Sequence, residues 1–296
     1  MTHAVLVVGR TGQVAHELQR AYWPEGLVPS FLGREVLDLS CADEARARVA
    51  EHRPGIVVNA AAYTAVDAAE RERDLAFAVN RDGPAALAEA CAEIGASLVQ
   101  LSTDYVFDGE KHGPYEEDDP IHPLSVYGES KSAGEAAVRA RLDAHVIIRT
   151  AWVYCSIGRN FVRTMLRLGA EREQVSVVDD QQGSPTSAAE VARAVVAVVA
   201  TLASGRTEGF GTYHFCGAGA TTWYGFARTI FAGAEQRSMR VPRTIAPITT
   251  AQYPTPARRP ANSVLRSEKI ARVFGVVARP WQDALVDCLD EISAAR

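Results

Sequence analysis

The first fifteen residues restrict the possible folds more than any other stretch of this chain. An unbroken apolar run at 4–8 is followed at once by Gly9 and Gly12, and then by an amphipathic segment through Leu18 and Tyr22. A strand that is apolar at every position is typical of a parallel sheet covered on both faces. A glycine turn between strand and helix directs backbone N–H groups at one point, which suits a pyrophosphate. The pattern favours a nucleotide-binding unit, although similar turns also occur where no nucleotide binds.

Further apolar runs recur along the chain, with helix-forming segments between them. The runs lie at 27–32, 56–58, 97–101 and 146–148. Regular alternation of strand and helix predicts an α/β fold, a Rossmann-like doubly wound parallel sheet with right-handed crossovers. Two helices are expected over 65–79 and 84–94, and Asn80 between them is either a cap or turn residue or a functional one.

The alternation of strands and helices loosens beyond about residue 155. We therefore expect residues 1–152 to form a dinucleotide-binding domain, to which the segments around 175–204 return. Residues 153–296 are expected to form mainly a smaller C-terminal α/β domain that binds the substrate.

Composition excludes several classes of function. The 296 residues carry a net charge of -5 without a basic run, which argues against a nucleic-acid surface. The longest apolar stretch, 194–203, is too short to span a bilayer, and a strand begins almost at the first residue, where a signal peptide would lie. The five cysteines are scattered without a metal-like spacing, which is typical of a reducing compartment. These features predict a soluble, cytoplasmic protein.

Tyr127 and Lys131 are the first candidates for chemistry. They stand four residues apart in a segment of helix-forming composition, so both side chains lie on one face. A free phenol has a pKa near 10, and a neighbouring ammonium lowers it, which makes the pair a plausible general acid for a carbonyl oxygen. The alternative is an exposed helix that carries an aromatic residue and a lysine by chance. Polar residues 102–105, at the carboxyl end of a predicted strand, are expected at the same sheet edge.

Arg34 bears on the choice of cofactor. It follows the second predicted strand, where a dinucleotide fold that binds NAD usually places a carboxylate on the adenosine ribose. A guanidinium there suits a 2′-phosphate instead. Asp38, four residues later, could reach the ribose and permit NADH. We predict that NADPH is preferred and that NADH is also accepted, unless Arg34 merely points to solvent.

Several longer motifs carry a family resemblance that covers the whole chain. They are Gly-x-x-Gly-Gln at 9–13, Asn-Ala-Ala-Ala-x-Thr-Ala-Val-Asp-x-Ala-Glu at 59–70, Ser-Thr-Asp-Tyr-Val-Phe at 102–107, Tyr-Gly-x-x-Lys at 127–131, Arg-Thr-x-Trp-Val-Tyr at 149–154, Asp-Gln-x-Gly-x-Pro-Thr at 180–186, and Tyr-Pro-Thr-Pro-Ala-x-Arg-Pro-x-Asn-Ser-x-Leu at 253–265. They resemble the extended short-chain dehydrogenase/reductases, and within them the dTDP-4-dehydrorhamnose reductase family.

The resemblance implies NADPH-dependent reduction of the C4 keto group of dTDP-4-dehydro-L-rhamnose to dTDP-L-rhamnose. It assigns Thr103 to the carbonyl oxygen, Tyr127 to the proton and Lys131 to the nicotinamide ribose. The implied cofactor-binding residues are Gly9, Thr11, Gly12, Gln13, Val14, Arg34, Asp38, Leu39, Ala60, Ala61, Ala62, Tyr63 and Thr64, with Tyr127 and Lys131. The implied substrate-binding residues are Thr103, Asp104, Tyr105, Trp152, Asn160 and Arg259.

Two other functions are compatible with the same motifs. One is a 4-ketoreductase for another dTDP-deoxyhexose, and the other is a non-catalytic regulatory subunit, which would not need Thr103, Tyr127 and Lys131 together. Some family members form a dimer through magnesium held by glutamates. Here Glu17 and Glu291 are present, but Ala189 occupies the mid-chain position and Glu190 follows it, so no metal is predicted and a homodimer stays open.

Overall fold

A parallel sheet of six strands lies at the centre of the molecule, which a computed structural model describes over residues 3–206 and 208–295. All five neighbouring pairs run parallel. In spatial order the strands are β10 (Gly211–His214), β5 (His145–Thr150), β4 (Ser97–Thr103), β3 (Ile56–Asn59), β1 (His3–Val8) and β2 (Leu27–Leu32). The predicted Rossmann-like sheet is confirmed.

Helices cover both faces of this sheet because its strands are apolar at successive positions. In β1, Val5 and Val7 belong to one buried cluster, whereas Leu6 and Val8 belong to another. The first face is covered by α1 (Gln13–Arg20), α8 (Ala188–Ala203) and α10 (Glu268–Phe274). The second is covered by α2 (Ala42–His52), α5 (Gly83–Ile94) and α6 (Val126–Arg139). The helix α1 ends before Tyr22, which is exposed.

The helix predicted over 65–79 is wrong as a single element. The chain instead forms α3 (Val66–Ala69) and α4 (Arg73–Phe77), and a π-helical turn, Ala78–Asp82, leads straight into α5. Pro84 has no N–H to donate to the carbonyl of Asn80, four residues earlier. Gly134 of α6 lies against that carbonyl, since a Cβ at Gly134 would stand 2.0 Å from its oxygen. The widened turn therefore lets α6 approach closely.

The remaining elements form a separate apolar cluster beside the carboxyl ends of the central strands, which we call the C-terminal cluster. Its helices are α7 (Phe161–Glu171), α9 (Trp223–Gln236) and α11 (Trp281–Ala294). Three strand pairs accompany them: β6 (Val153–Tyr154) with β9 (Thr186–Ser187), β7 (Gln174–Val178) with β12 (Thr244–Ile248), and β8 (Gln182–Gly183) with β11 (Thr221–Thr222). Two 3₁₀ turns occupy Asp104–Val106 and Thr250–Gln252.

The chain crosses between the central sheet and the C-terminal cluster more than once. Of the segments around 175–204, α8 packs on the central sheet, whereas β7 pairs with β12 outside it. The later strand β10 forms one edge of the central sheet, next to β5. Within the residues that the structure describes, every helix is too short or too polar to cross a lipid bilayer.

Candidate active site

The glycine turn after β1 has the geometry that its sequence predicts. Gly9 adopts φ +115°, and a Cβ there would lie 3.2 Å from the carbonyl carbon of Ala60, so a larger residue would be strained and crowded. Gly12 precedes α1, and no side chain of the described residues caps this helix. The first N–H groups of α1 are therefore available to an anion. Gln13 Oε1 accepts a hydrogen bond from Asn160 Nδ2 at 3.0 Å, which ties this turn to the start of α7.

The loop after β3, Ala60–Thr64, is held in place by asparagine side chains. Asn59 Oδ1 accepts from the Ala61 N–H at 3.1 Å. Asn80 Oδ1 accepts from the Tyr63 N–H at 2.9 Å, and its Nδ2 donates to the Tyr63 carbonyl at 3.0 Å and to Ser130 Oγ at 2.9 Å. Asn80 thus joins the predicted cofactor loop to α6. Its sequence neighbours gave no sign of this role, because its partners lie 17 and 50 residues away.

The residues after β2 form two ion pairs. Arg34 Nε donates to Asp38 Oδ2 at 3.0 Å, and the Arg34 side chain is 76% exposed. Hydrogen bonds from Ser40 and from Arg34 lower the pKa of Asp38, so this carboxylate is held in position rather than free to swing. The second pair joins Arg10 NH1 to Glu35 Oε1 at 3.6 Å. Glu35 is a carboxylate at the end of β2 that the sequence analysis overlooked.

Tyr127 and Lys131 lie side by side and buried in the first turns of α6. The helix begins after Ser125, whose Oγ accepts from the Gly128 N–H at 3.2 Å. Lys131 Nζ donates to the carbonyl of Leu101 in β4 at 2.7 Å. The ring of Tyr105 meets the ring of Tyr127 edge to face, with centroids 5.5 Å apart. The predicted pair is therefore placed against the end of β4.

Thr103 supplies a hydroxyl at the same point. Its Oγ1 donates to Asp104 Oδ1 at 2.9 Å, accepts from the Tyr105 N–H at 3.2 Å, and lies within hydrogen-bonding reach of the Tyr127 phenol. A phenol, a hydroxyl and an ammonium thus converge at the carboxyl end of a central strand. That arrangement can polarise a carbonyl oxygen and protonate it.

The predicted lowering of the Tyr127 pKa is wrong. Burial raises the pKa of Tyr127 to about 12, and the hydrogen bond with Thr103 opposes the shift only in part. Burial also lowers the pKa of Lys131 to about 8. Desolvation is the largest cause of both pKa shifts.

Asp104 and Trp152 form the wall on the side of the C-terminal cluster. Asp104 is buried, which raises its pKa to about 6 although the nearby hydroxyls of Ser263 and Thr103 oppose the shift, and within the described residues no donor meets its Oδ2 with normal hydrogen-bond geometry. Trp152 has φ +48° and stacks on Trp223 with ring centroids 3.4 Å apart. Trp152 Nε1 donates to Ser263 Oγ at 3.1 Å. Ser263 belongs to the motif at 253–265 but was given no role there, and Trp223 was not predicted, because both lie far along the chain from Trp152.

Arg259 is engaged within the protein. Its NH2 donates to Asp67 Oδ2 at 2.9 Å, and Asp67 Oδ1 accepts from the Ala257 N–H at 3.2 Å. This pair fastens the proline-rich loop to α3. Asn160, predicted to contact substrate, caps α7 by accepting from the Arg163 N–H at 3.0 Å, in addition to its bond to Gln13. The predicted substrate contacts of Arg259 and Asn160 stay predictions.

Glu17, Glu190 and Glu291, the glutamates considered for magnesium, lie close together and are paired with arginines, and the absence of a metal stays a prediction. They border one small cavity between α1, the start of α8 and α11, but each carboxylate is already paired with arginine. The pairs are Glu17 with Arg20, Glu291 with Arg20, and Glu190 with Arg193 and Arg279. No group of three or more metal-binding side chains occurs within the described residues.

Comparison with known proteins places this geometry in a family. The family model described as RmlD substrate binding domain matches residues 2–294. A dTDP-4-dehydrorhamnose reductase of Sinorhizobium fredii is 43% identical over 279 residues, 94% of each chain.

Solved structures agree with this match. The crystal structure of a dTDP-4-dehydrorhamnose reductase from Clostridium acetobutylicum has a TM-score of 0.90 at 37% identity and covers 98% of this chain and 99% of its own. That of the Bacillus anthracis reductase in complex with NADP has a TM-score of 0.89 at 37% identity, with coverage of 98% and 100%. The chain therefore belongs to the RmlD substrate-binding-domain family, the family of dTDP-4-dehydrorhamnose reductases that its motifs resemble.

Proposed function

We infer that this protein reduces the C4 keto group of dTDP-4-dehydro-L-rhamnose to give dTDP-L-rhamnose, with NADPH as the preferred reductant. The observation that carries the proposal is the buried group of Thr103, Tyr127 and Lys131 at the end of β4. The glycine turn at the end of β1 borders the same edge of the sheet. The relatives carry the name of this activity, and the Bacillus anthracis relative was solved with NADP.

Each residue of the group has a distinct role in the reduction. Bound NADPH supplies the hydride. Tyr127 donates its phenolic proton to the C4 oxygen, and Thr103 donates a hydrogen bond to the same oxygen. Lys131, held by the Leu101 carbonyl, reaches the ribose and stabilises the phenolate that Tyr127 leaves behind. The resulting alkoxide is thereby neutralised as it forms.

We assign the cofactor to the central sheet and the nucleotide sugar to the C-terminal cluster. The central sheet, with the glycine turn and the Ala60–Thr64 loop, binds the cofactor, because ligands of open α/β sheets bind at the carboxyl ends of the strands. The C-terminal cluster binds the nucleotide sugar through Asp104, Trp152 and Arg259. The buried Asp104 Oδ2 supports this assignment, since an unpaired buried oxygen gains a hydrogen bond when a sugar hydroxyl arrives.

The cysteines support a reducing compartment. All five are free thiols, and four of them are buried. We propose that the enzyme works in the cytoplasm, where thiols stay reduced. A homodimer stays a prediction of the family resemblance.

The decisive experiment supplies the purified protein with dTDP-4-dehydro-L-rhamnose and NADPH. We expect loss of NADPH absorbance and formation of dTDP-L-rhamnose, identified by NMR. A different C4 epimer, or activity only with another dTDP-4-keto-deoxyhexose, would show that the protein is a ketoreductase of another pathway. Absence of turnover with every such sugar would point to a non-catalytic subunit.

Cofactor preference depends on Arg34. We expect the wild type to favour NADPH over NADH by about tenfold in kcat/KM, equivalent to about 1.4 kcal/mol. Arg34→Ala should abolish this preference, because the guanidinium is the cation placed to meet a 2′-phosphate. The matched control is Arg243→Ala, an exposed arginine paired with Glu173 beside β12. An unchanged NADPH to NADH ratio in Arg34→Ala would contradict the assignment.

Arg259 is expected to bind the diphosphate of the substrate. Arg259→Ala should raise KM for the nucleotide sugar more than KM for NADPH, since a charge-assisted contact is worth about 1.5–3 kcal/mol. Arg258→Ala, the exposed neighbour in the same loop, is the control and should have a smaller effect. Equal losses for both ligands in Arg259→Ala would indicate that the loop supports the fold through Asp67 instead.

A further inference from the structure

A buried ion pair lies directly behind Lys131 and has no part in the mechanism above. Glu135 of α6 and Arg149 of β5 have side chains that are only 1% and 2% exposed. Arg149 Nε donates to Glu135 Oε1 at 2.9 Å, and its NH2 donates to Oε2 at 2.7 Å. This is the two-pronged geometry in which arginine binds a carboxylate most strongly.

The surroundings satisfy this pair almost completely. Ser102 Oγ donates to Glu135 Oε1 at 2.6 Å, and Arg139 NH1 donates to Oε2 at 3.2 Å. Burial alone would raise the pKa of Glu135, but the hydrogen bonds and charge of Arg149 outweigh it and hold the pKa below its usual value. On the far side, burial and Arg149 lower the pKa of His214 to about 3, so His214 stays neutral.

Stability alone is a weak reason for such a pair. Desolvation of two charges costs about as much as their attraction returns, and apolar replacements of similar volume are often no less stable. The position of the pair suggests another reason. Glu135 follows Lys131 by one helical turn, and its partner Ser102 directly precedes Thr103.

Two successive residues of β4 are thereby fastened to α6. Leu101 accepts from Lys131 Nζ at 2.7 Å, and Ser102 donates to Glu135 at 2.6 Å. Thr103 is the next residue, and it donates the hydrogen bond to the substrate in the proposed reaction. A shift of Glu135 would therefore move Thr103 and Lys131 relative to each other.

We propose that Glu135, fixed by Arg149, is a positioning residue of the reduction: it sets the spacing between the end of β4 and α6. The proposal rests on the proposed function for its catalytic consequence. The effect of the Glu135 charge on the pKa of Lys131 can be tested even if the proposed function is wrong.

The charges around Lys131 define the expected pH effect. Burial lowers the pKa of Lys131 to about 8, and the carboxylate of Glu135 opposes that shift. The other titratable or charged groups of the adjoining elements include Tyr127, Glu129 and Arg139 on α6, Asp104 after β4, and Arg149 on β5, next to the neutral His214 of β10. Loss of the Glu135 charge therefore lowers the pKa of Lys131 further, and Lys131 becomes neutral at a lower pH.

The test uses Glu135→Gln and reads Lys131 directly. The chain contains three lysines, at positions 111, 131 and 269, so ¹³C-lysine labelling gives an NMR spectrum in which Lys131 can be titrated alone. We expect its pKa to fall by about half a unit or more in Glu135→Gln. We also expect kcat to fall by at least about tenfold, with the alkaline limb of the kcat profile moved to lower pH and KM for NADPH little changed.

Controls separate this role from a merely structural one. Glu129→Gln, on the same helix but in an exposed pair with Arg73, should leave both the Lys131 titration and kcat unchanged. If Glu135→Gln does not fold, the double variant Glu135→Gln/Arg149→Met leaves neither partner of the pair buried and unpaired; it should still lower kcat, whereas its Lys131 pKa should fall less, because the positive charge of Arg149 is removed as well. Ser102→Ala should lower kcat without moving the Lys131 pKa.

Different results would overturn the positioning role of Glu135 and the proposed function. The positioning role would be overturned by a folded Glu135 variant in which the Lys131 pKa does not move and kcat stays within about twofold of the wild-type value. A lowered melting temperature alone would do the same. Failure of the wild type to reduce any dTDP-4-keto sugar would overturn the proposed function, while the lysine titration would still test the electrostatic effect of Glu135.

Discussion

Tyr127→Phe is expected to lower kcat by about 10²–10⁴ while cofactor binding stays near that of the wild type. The substitution keeps the ring, its burial and its edge-to-face contact with Tyr105, and removes only the hydroxyl that protonates the C4 oxygen. Steady-state rates with dTDP-4-dehydro-L-rhamnose give kcat, and quenching of protein fluorescence by NADPH gives the cofactor affinity.

The control for this substitution is Tyr22→Phe, which removes the same hydroxyl from a tyrosine that is exposed beside α1. It should keep full activity. Retention of most of the activity by Tyr127→Phe would mean that another group protonates the oxygen. Asp104 would then be the first candidate, because it hydrogen-bonds Thr103 and burial raises its pKa to about 6.

Thr103→Val should lower kcat by about 10²–10³, the usual cost of removing one donor to a developing oxyanion. Valine matches threonine in shape, so packing at the end of β4 is kept. The variant loses the hydroxyl that donates to Asp104, accepts from the Tyr105 N–H and contacts the Tyr127 phenol. The rate of NADPH oxidation at saturating substrate measures the loss.

Thr103→Ser is the matched control because it restores the hydroxyl on a smaller side chain. It should recover activity to within about tenfold of the wild type, since the methyl group contributes packing and not chemistry. Equal losses in Thr103→Val and Thr103→Ser would show that the methyl group, and not the hydroxyl, is what the site needs.

Burial sets the ionisation of the two groups of α6. It raises the pKa of Tyr127 to about 12 and lowers that of Lys131 to about 8. Lys131 is thus charged at neutral pH and loses its proton as the pH rises through about 8. The proposed mechanism needs the ammonium, so activity should decline on the alkaline side through loss of the Lys131 charge.

The sequence alone determined the central sheet and the location of its chemistry. A strand buried on both faces is mostly apolar, so β1, β3, β4 and β5 appear as runs dominated by apolar residues, although β4 also buries Gln100 and β5 buries Arg149. Gly9 was predictable because only glycine readily adopts its positive φ. The side-by-side placement of Tyr127 and Lys131 follows from the period of the helix, which is a local property.

The tertiary structure decided everything that depends on contacts between distant segments. Asp67 meets Arg259 across 192 residues, and Trp152 meets Ser263 across 111. The close approach of Gly134 to the Asn80 carbonyl, in the π-helical turn before Pro84, joins segments that are more than 50 residues apart. The direction in which the pKa of Tyr127 shifts depends on desolvation, which is set by the atoms that surround the phenol in space. Local sequence encodes propensity and periodicity, whereas burial and long-range partners exist only once the chain has folded.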